Sequence, residues 1–171
     1  LCSCIYGVDI DIHAVEVAKF SLLIKLIENE TAPSVKAVTP ILPDLSTNIL
    51  HGNSLVSDTE LKGIKCTDEQ LVEIVPLNWD ELAVNSFDAI VGNPPYVTTE
   101  DIHSLIPAPE FEIYKKKYKT AHKQFDKYFI FLERALQKVK ENGYVCYIVP
   151  NKFFKIGAGA KLRDYIAKAK Y

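Results

Sequence analysis

Residues 87–92, Phe-Asp-Ala-Ile-Val-Gly, form an almost continuously apolar run that stops at Asn93-Pro94-Pro95-Tyr96. A strand that is apolar in succession, rather than alternately, belongs between two covering layers, as in parallel sheets flanked by helices. Proline has no N–H to give to a ladder, so Pro94 and Pro95 end the strand abruptly. Each also fixes its own φ and restricts the residue before it. Asn93 and Tyr96 are therefore presented by a stiff backbone at the strand's carboxyl end, which is where ligands sit in open α/β sheets. A proline-terminated strand with a capping asparagine is the plainer alternative, and the surrounding sequence decides between them.

The rest of the chain repeats the alternation of strand and helix. Cys4–Ile10 is apolar and β-prone, and a helix over about 12–29 follows, with Val15, Ala18, Leu22, Leu23, Leu26 and Ile27 at helical spacing. Pro33, Pro40 and Pro43 mark a loop. A short strand over Ile49–His51 is broken by Gly52, and residues 56–84 suggest short helical turns with loop. Residues 97–123, with Pro107, Pro109 and the basic, aromatic run "YKKKYKTAHK", read as a long, irregular, mobile loop. An amphipathic helix then carries Phe125, Tyr128, Phe129, Leu132, Ala135, Leu136 and Val139 on one face, with Gly143 as its expected C-cap. "YVCYIVP" is a further buried strand, and "GAKLRDYIAKA" begins another helix. The expected class is α/β with a mainly parallel sheet.

Composition narrows the function. With 171 residues, 48% of them hydrophobic, the chain has material for one domain with a substantial core. No apolar run of membrane-spanning length and no secretory signal occurs, so a soluble, cytoplasmic segment without a membrane partner is expected. Cys2, Cys4, Cys66 and Cys146 lack metal-type CxxC spacing and read as reduced, buried thiols, Cys2 and Cys4 along a strand; no metal is expected. The net charge of −2 hides an asymmetry: residues 1–100 hold 5 Lys and Arg against 15 Asp and Glu, and residues 101–171 hold 15 against 7. Such a separation points the basic end toward a polyanion, although chance clustering on a solvated surface gives the same count. Leu1 follows no Met, and the expectation is a piece of a longer protein.

Asp9, Asn53 and Asn93-Pro94-Pro95-Tyr96 fall at the ends of three successive strands. In nucleotide-binding α/β folds a carboxylate at one strand end accepts from ribose hydroxyls. Asp9 or Asp11 could equally cap the following helix. Three such ends in order are far more specific than any one.

Here the sequence resembles the adenine-N6 DNA methyltransferases of restriction–modification systems that carry an NPPY motif. The resemblance runs through "YGVDIDIHAVEVAKFSL", "ILHGNSL", "NWDELAVNSFDAIVGNPPYV" and "FDKYFIFLERALQKVKENGYVCYIVPNKFF". It implies a Rossmann-like fold, residues 1–171 being a partial catalytic domain, with S-adenosylmethionine as methyl donor. Asp9 would bind the ribose, Ile10 would pack on the cofactor adenine, and Asn53, with Ser54 beside it, would meet that adenine's amino edge. The family often has Asp where Asn53 stands. Asn93, Pro94, Pro95 and Tyr96 would form the catalytic motif, and Asn93 would also border the cofactor. Double-stranded DNA would be the partner, its phosphates met by Lys115, Lys116, Lys117, Lys119 and Lys123. A restriction or specificity subunit or domain would accompany the segment in the parent protein. The alternatives are a protein-glutamine or RNA methyltransferase with the same NPPY logic, and a non-catalytic DNA-binding subunit.

The resemblance also implies a glycine-rich loop and strand upstream of Leu1, and a target-recognition region beyond Tyr171. In the family's sheet that strand lies between those ending at Asp9 and Asn93. Without it the two are expected to pair directly, in a four-stranded sheet ordered 50–51, 5–9, 87–92, 144–149. Such closure would distort the cofactor pocket, so the isolated segment is expected to be inactive and to bind cofactor weakly.

Overall fold

Strand β1 (Gly7–Asp9) opens the fold and lies parallel to β2 (Ile49–His51), with Val8 opposite Leu50 and Asp9 opposite His51. The computed structural model describes residues 1–28, 30, 42–79, 82 and 84–169. Pro33 and Pro40, expected in a loop, lie outside the described residues. Between the two strands runs α1 (Ile12–Ile27), which begins where the Asp11 side chain accepts the His13 N–H at 2.8 Å. Val15, Ala18, Leu22 and Leu23 turn its inner face onto Leu45 and Ile49. Leu26 and Ile27, expected on that face, are exposed.

Two short helices follow, α2 (Asp58–Leu61) and α3 (Asp68–Ile74), each opened by a capping box, Ser57 with Glu60 and Thr67 with Gln70. Then comes β3 (Phe87–Gly92), followed by helices α4 (Thr99–Leu105), α5 (Ala108–Lys117) and α6 (Lys127–Lys138). Strand β4 (Val139–Tyr147) returns parallel to β3, and α7 (Ala160–Lys168) ends the described fold.

The architecture is mixed α/β with small parallel sheets. The expected four-stranded sheet does not form: β1 pairs with β2, β3 pairs with β4, and the two pairs are separate sheets. Where a β1–β3 ladder would begin, the rings of Tyr6 and Phe87 meet edge to face, centroids 5.9 Å apart. The strands are also less covered than their apolar runs suggest. Val91, Tyr144 and Ile148 are 76%, 75% and 70% exposed, because among the described residues helices cover these short sheets incompletely.

The main core lies instead among the helices. Leu55, Ile74, Ile102, Ile113, Tyr114, Phe125, Phe129 and Leu162 bury their side chains together. Residues 97–123 are therefore not the expected irregular loop. Pro107 is the N-cap of α5 and Pro109 stands in its first turn, where the N–H groups that proline lacks have no helical partner. The turn after α5 is pinned by Glu133, 1% exposed, whose carboxylate accepts the backbone N–H groups of Lys119 at 3.1 Å and Thr120 at 2.8 Å.

Gly143 is not a helix cap. Asn142 adopts the left-handed backbone (φ 62°), while a Cβ on Gly143 would lie 2.8 Å from the Asp88 carbonyl oxygen inside the β3–β4 pairing. The thiols differ from expectation too. Cys2, Cys4 and Cys146 are exposed, Cys66 is partly buried, and Cys2 and Cys4 lie in an N-terminal turn instead of a strand.

Candidate active site

The carboxyl ends of β1 and β2 are held side by side by the Gly52 N–H, which donates to the Asp9 carbonyl at 2.8 Å. Asp9 is exposed and uses Oδ1 to accept the Asp11 N–H at 2.8 Å. Asp11 is the N-cap, as the capping alternative required, and Asp9 remains available. Ile10, 50% exposed, projects beside it. The His51 ring reaches the Ile10 carbonyl at 3.0 Å and fastens the two strand ends from the other side. An exposed carboxylate next to an exposed aliphatic side chain suits a ribose and the face of a purine.

Asn53 is placed differently. It is 4% exposed, its Oδ1 accepts the Leu55 N–H at 3.0 Å, and its Nδ2 donates to Glu110 Oε1 at 2.9 Å. Its own N–H donates to the Val75 carbonyl at 2.7 Å. Ser54 beside it is partly buried. Glu110, 2% exposed, also accepts the Tyr114 hydroxyl and lies 3.9 Å from Lys127 Nζ. Burial pushes the Tyr114 hydroxyl well above its ordinary range, and the Glu110 charge pushes it the same way. Burial pulls the Lys127 ammonium down, and Glu110 opposes that pull. Nothing in the sequence separates Glu110 or Lys127 from other charged residues of a polar run, so both escape sequence reasoning.

The NPPY motif leaves β3 directly. Gly92 closes the strand because a side chain there would meet the Tyr147 ring at 3.0 Å. Pro94 is buried, whereas Asn93, Pro95 and Tyr96 face solvent. The Tyr96 hydroxyl lies 2.7 Å from both Asn93 Oδ1 and the Ile148 carbonyl, and its single proton can serve one at a time. The Tyr96 ring stands edge-on to Tyr128 at 6.2 Å. Its polar tip touches the Asn93 side-chain acceptor at the exposed end of β3. Asp9, Ile10 and Asn53 gather at one pair of strand ends, and Asn93, Pro94, Pro95 and Tyr96 at the other. The Asn53–Glu110–Lys127 cluster bridges them, since the Lys127 N–H donates to the Val97 carbonyl at 2.7 Å, one residue past Tyr96.

The five lysines do not form one patch. Lys115 folds inward, its ammonium donating at 3.3 Å to the carbonyls of Ala121 and Lys123 and lying 4.8 Å from the Phe125 ring centre. Burial lowers its pKa. Lys116 pairs with Glu112, and Lys117 with Glu60 at 3.1 Å. Lys119 and Lys123 point to solvent. Among the described residues, no cluster of three or more His, Cys, Asp or Glu is arranged to hold a metal ion, and no helix is long and apolar enough to cross a membrane.

Residues 3–171 match the family model of the Eco57I restriction-modification methylase. Over all 171 residues the chain is 50% identical to the type II restriction enzyme and methyltransferase RM.Eco57I of Escherichia coli, covering 16% of it. It is 38% identical over 82 residues to the type II methyltransferase M.PaeR7I of Pseudomonas aeruginosa, which is 48% of the chain and 14% of that relative. It is 36% identical over 92 residues to M.BstVI of Geobacillus stearothermophilus, 53% of the chain and 16% of that relative. The chain thus spans about a sixth of the length of the curated relatives it matches. With the match extending from the first strand through the last helix, this chain belongs to the Eco57I restriction-modification methylase family.

Proposed function

We propose that this chain is catalytic-domain sequence of a cytoplasmic, site-specific DNA methyltransferase of a restriction–modification system, with Rossmann-like architecture, that methylates adenine N6 in duplex DNA. The observation that carries the reading is the exposed Asn93 acceptor, fixed at the end of β3 by two prolines and set beside an exposed tyrosine ring. S-adenosylmethionine, when bound, supplies a methyl group on a sulfonium. Asp9 is suited to hold its ribose and Ile10 its purine face, whereas Asn53, with Ser54 beside it, would have to open its buried bonds to Leu55 and Glu110 to meet the purine's amino edge.

The adenine amino group is a poor nucleophile because its lone pair is delocalised into the ring. Asn93 Oδ1 and the Pro94 carbonyl would accept its two hydrogens, raise electron density on N6 and favour tetrahedral geometry. That is electrostatic preorganisation, strongest where water is excluded. The N6–methyl bond forms as the carbon–sulfur bond breaks, and N6 then releases a proton. The base must leave the duplex for its amino group to reach Asn93, and the Tyr96 ring offers it a stacking face.

In the full-length protein, Asn93→Ala is expected to lower transfer of radiolabelled methyl to DNA by about 100-fold or more, as when one preorganised hydrogen-bonding group is removed. Cofactor binding should persist, and digestion of wild-type product should yield N6-methyladenine. Undiminished turnover would remove Asn93 from this role.

A further inference from the structure

Strands β3 and β4 run parallel, so whatever follows each of them leaves the sheet at the same edge. Asn93–Tyr96 follows β3 there, and a one-turn 3-10 helix, Asn151–Phe154, follows β4 after Pro150. The two exits touch. The Tyr96 hydroxyl reaches the Ile148 carbonyl at 2.7 Å, and the Tyr128 hydroxyl reaches the Pro150 carbonyl at 3.3 Å. A series of rings continues the contact. Tyr96 lies edge-on to Tyr128 at 6.2 Å, Tyr128 edge-on to Phe153 at 6.4 Å, and Phe153 stacks on Phe154 at 4.1 Å. The two middle rings are buried, and the series ends at Phe154, 63% exposed.

A lone exposed apolar side chain is ordinary on a protein surface. Phe154 differs in how firmly its turn is held. Lys152 pairs at 2.9 Å with Asp126, which is 5% exposed, and Arg163 donates to the carbonyls of Phe153 and Ile156. Gly159 backs the turn so closely that a Cβ there would lie 2.1 Å from the Phe153 carbonyl oxygen. A ring on so fixed a backbone loses little further freedom when something stacks on it. Charge identifies the partner. Residues 142–163 contain Lys152, Lys155, Lys161 and Arg163 and no Asp or Glu. Lys155, next to the ring, is exposed and makes no ion pair among the described residues. An aromatic face with a free cation beside it suits a nucleic-acid strand, base on ring and phosphate on ammonium.

We propose that Phe154 and Lys155 form a second DNA contact beside the flipped adenine, the ring stacking on a neighbouring base and the ammonium meeting a backbone phosphate. This rests on the reading of Asn93–Tyr96 as the place of methyl transfer to DNA. A duplex that delivers a base to Asn93 must approach the edge from which both turns leave. The three ring-to-ring steps together span at most about five base-pair rises, which keeps the contact close to the flipped base. Flipping opens the stack on either side of the vacated position and so gives an apolar ring a base face to occupy.

The test measures the affinity of the full-length protein for a duplex that it methylates, with binding of S-adenosylhomocysteine as the control. Phe154→Ala should weaken the duplex by about fivefold or more, the scale of one lost base–aromatic stack, and leave the slope of log affinity against log salt unchanged. Phe154→Tyr should keep the affinity within about twofold of wild type, because every aromatic ring offers a stacking face. Phe154→Leu, apolar but without such a face, should not. Lys155→Gln should flatten the salt slope by up to about 0.9. All four variants should bind S-adenosylhomocysteine as the wild type does. Full affinity in Phe154→Ala, or an unchanged slope in Lys155→Gln, overturns the proposal. So does rescue by Leu, which would mean that Phe154 packs against another part of the parent protein, and so does equal weakening of duplex and S-adenosylhomocysteine. A wild type that methylates no DNA removes the proposed function, and this contact with it.

Discussion

At the scale of single residues, Tyr96 holds two roles that can be separated. Its hydroxyl sits 2.7 Å from the Asn93 acceptor that an incoming amino group would need. The same proton can turn to the Ile148 carbonyl at the same distance. In the free protein the motif therefore satisfies its own polar groups, and a base can displace the hydroxyl without leaving it unbonded. The ring face is a different asset, half-exposed and sequence-tolerant as a stacking surface. Tyr96→Phe keeps the ring and removes the hydroxyl, so methyl transfer should stay within about threefold of wild type. Tyr96→Ala removes about 1–3 kcal/mol of stacking and should lower kcat/KM by about 5- to 150-fold. If Phe costs as much as Ala in steady-state kinetics, the hydroxyl and not the ring carries the function.

At the scale of elements, α2 is tied to α6 by Glu60. Its carboxylate meets Arg134 at 3.0 Å and Lys117 at 3.1 Å, and Arg134 also donates to the Leu55 carbonyl at 3.0 Å. Burial alone would raise the Glu60 pKa, but the Arg134 charge and the hydrogen bonds outweigh it and hold the carboxyl below its ordinary value. A carboxylate depressed on folding contributes stability that is present above its unfolded pKa, near 4.5, and lost as pH falls through the folded value. Hydrogen exchange of α6 should therefore accelerate as pH drops below about 4.5, once intrinsic exchange is corrected, and Glu60→Gln should flatten that dependence. An identical acid limb in the variant would exclude Glu60 as its source. The elements also show what a sequence can carry. Apolar runs at 5–9, 49–51, 87–92 and 144–149 each overlap a strand, because composition acts locally, but β1 is only Gly7–Asp9, β4 begins earlier at Val139, and the order of the strands is not in the runs. Pro107 and Pro109 mislead over 97–123, because the same residue breaks a helix interior and suits a helix start, and only the burial of Ile113 and Tyr114 decides between the two. Glu110 is illegible for another reason. What distinguishes it is Asn53, 57 positions away, brought within 2.9 Å by packing alone.

At the scale of the whole molecule, charge separation along the chain survives folding only in part. The basic half presents fewer free cations than its composition promises, since Lys115 is spent on carbonyls and the rings of Phe111 and Phe125. Lys116 holds an exposed ion pair with Glu112, which salt and phosphate can compete away because such pairs contribute little, whereas Lys117 is paired with the buried Glu60 carboxylate. Lys119 and Lys123 flank the turn that Glu133 pins, so their ammonium groups stand on a fixed backbone after α5. If this face meets DNA, these two are the best placed to displace condensed counterions. The double variant Lys119→Gln with Lys123→Gln should flatten the dependence of log affinity on log salt by up to about 0.9 for each phosphate no longer neutralised. Lys115→Gln should leave that slope unchanged and instead loosen the turn, seen as faster hydrogen exchange at residues 119–123. Measured in the full-length protein on duplex DNA, a slope unaltered by the double variant would place the DNA on another face. A slope lowered by Lys115→Gln as much as by the pair would mean that its ammonium leaves the rings to bind phosphate.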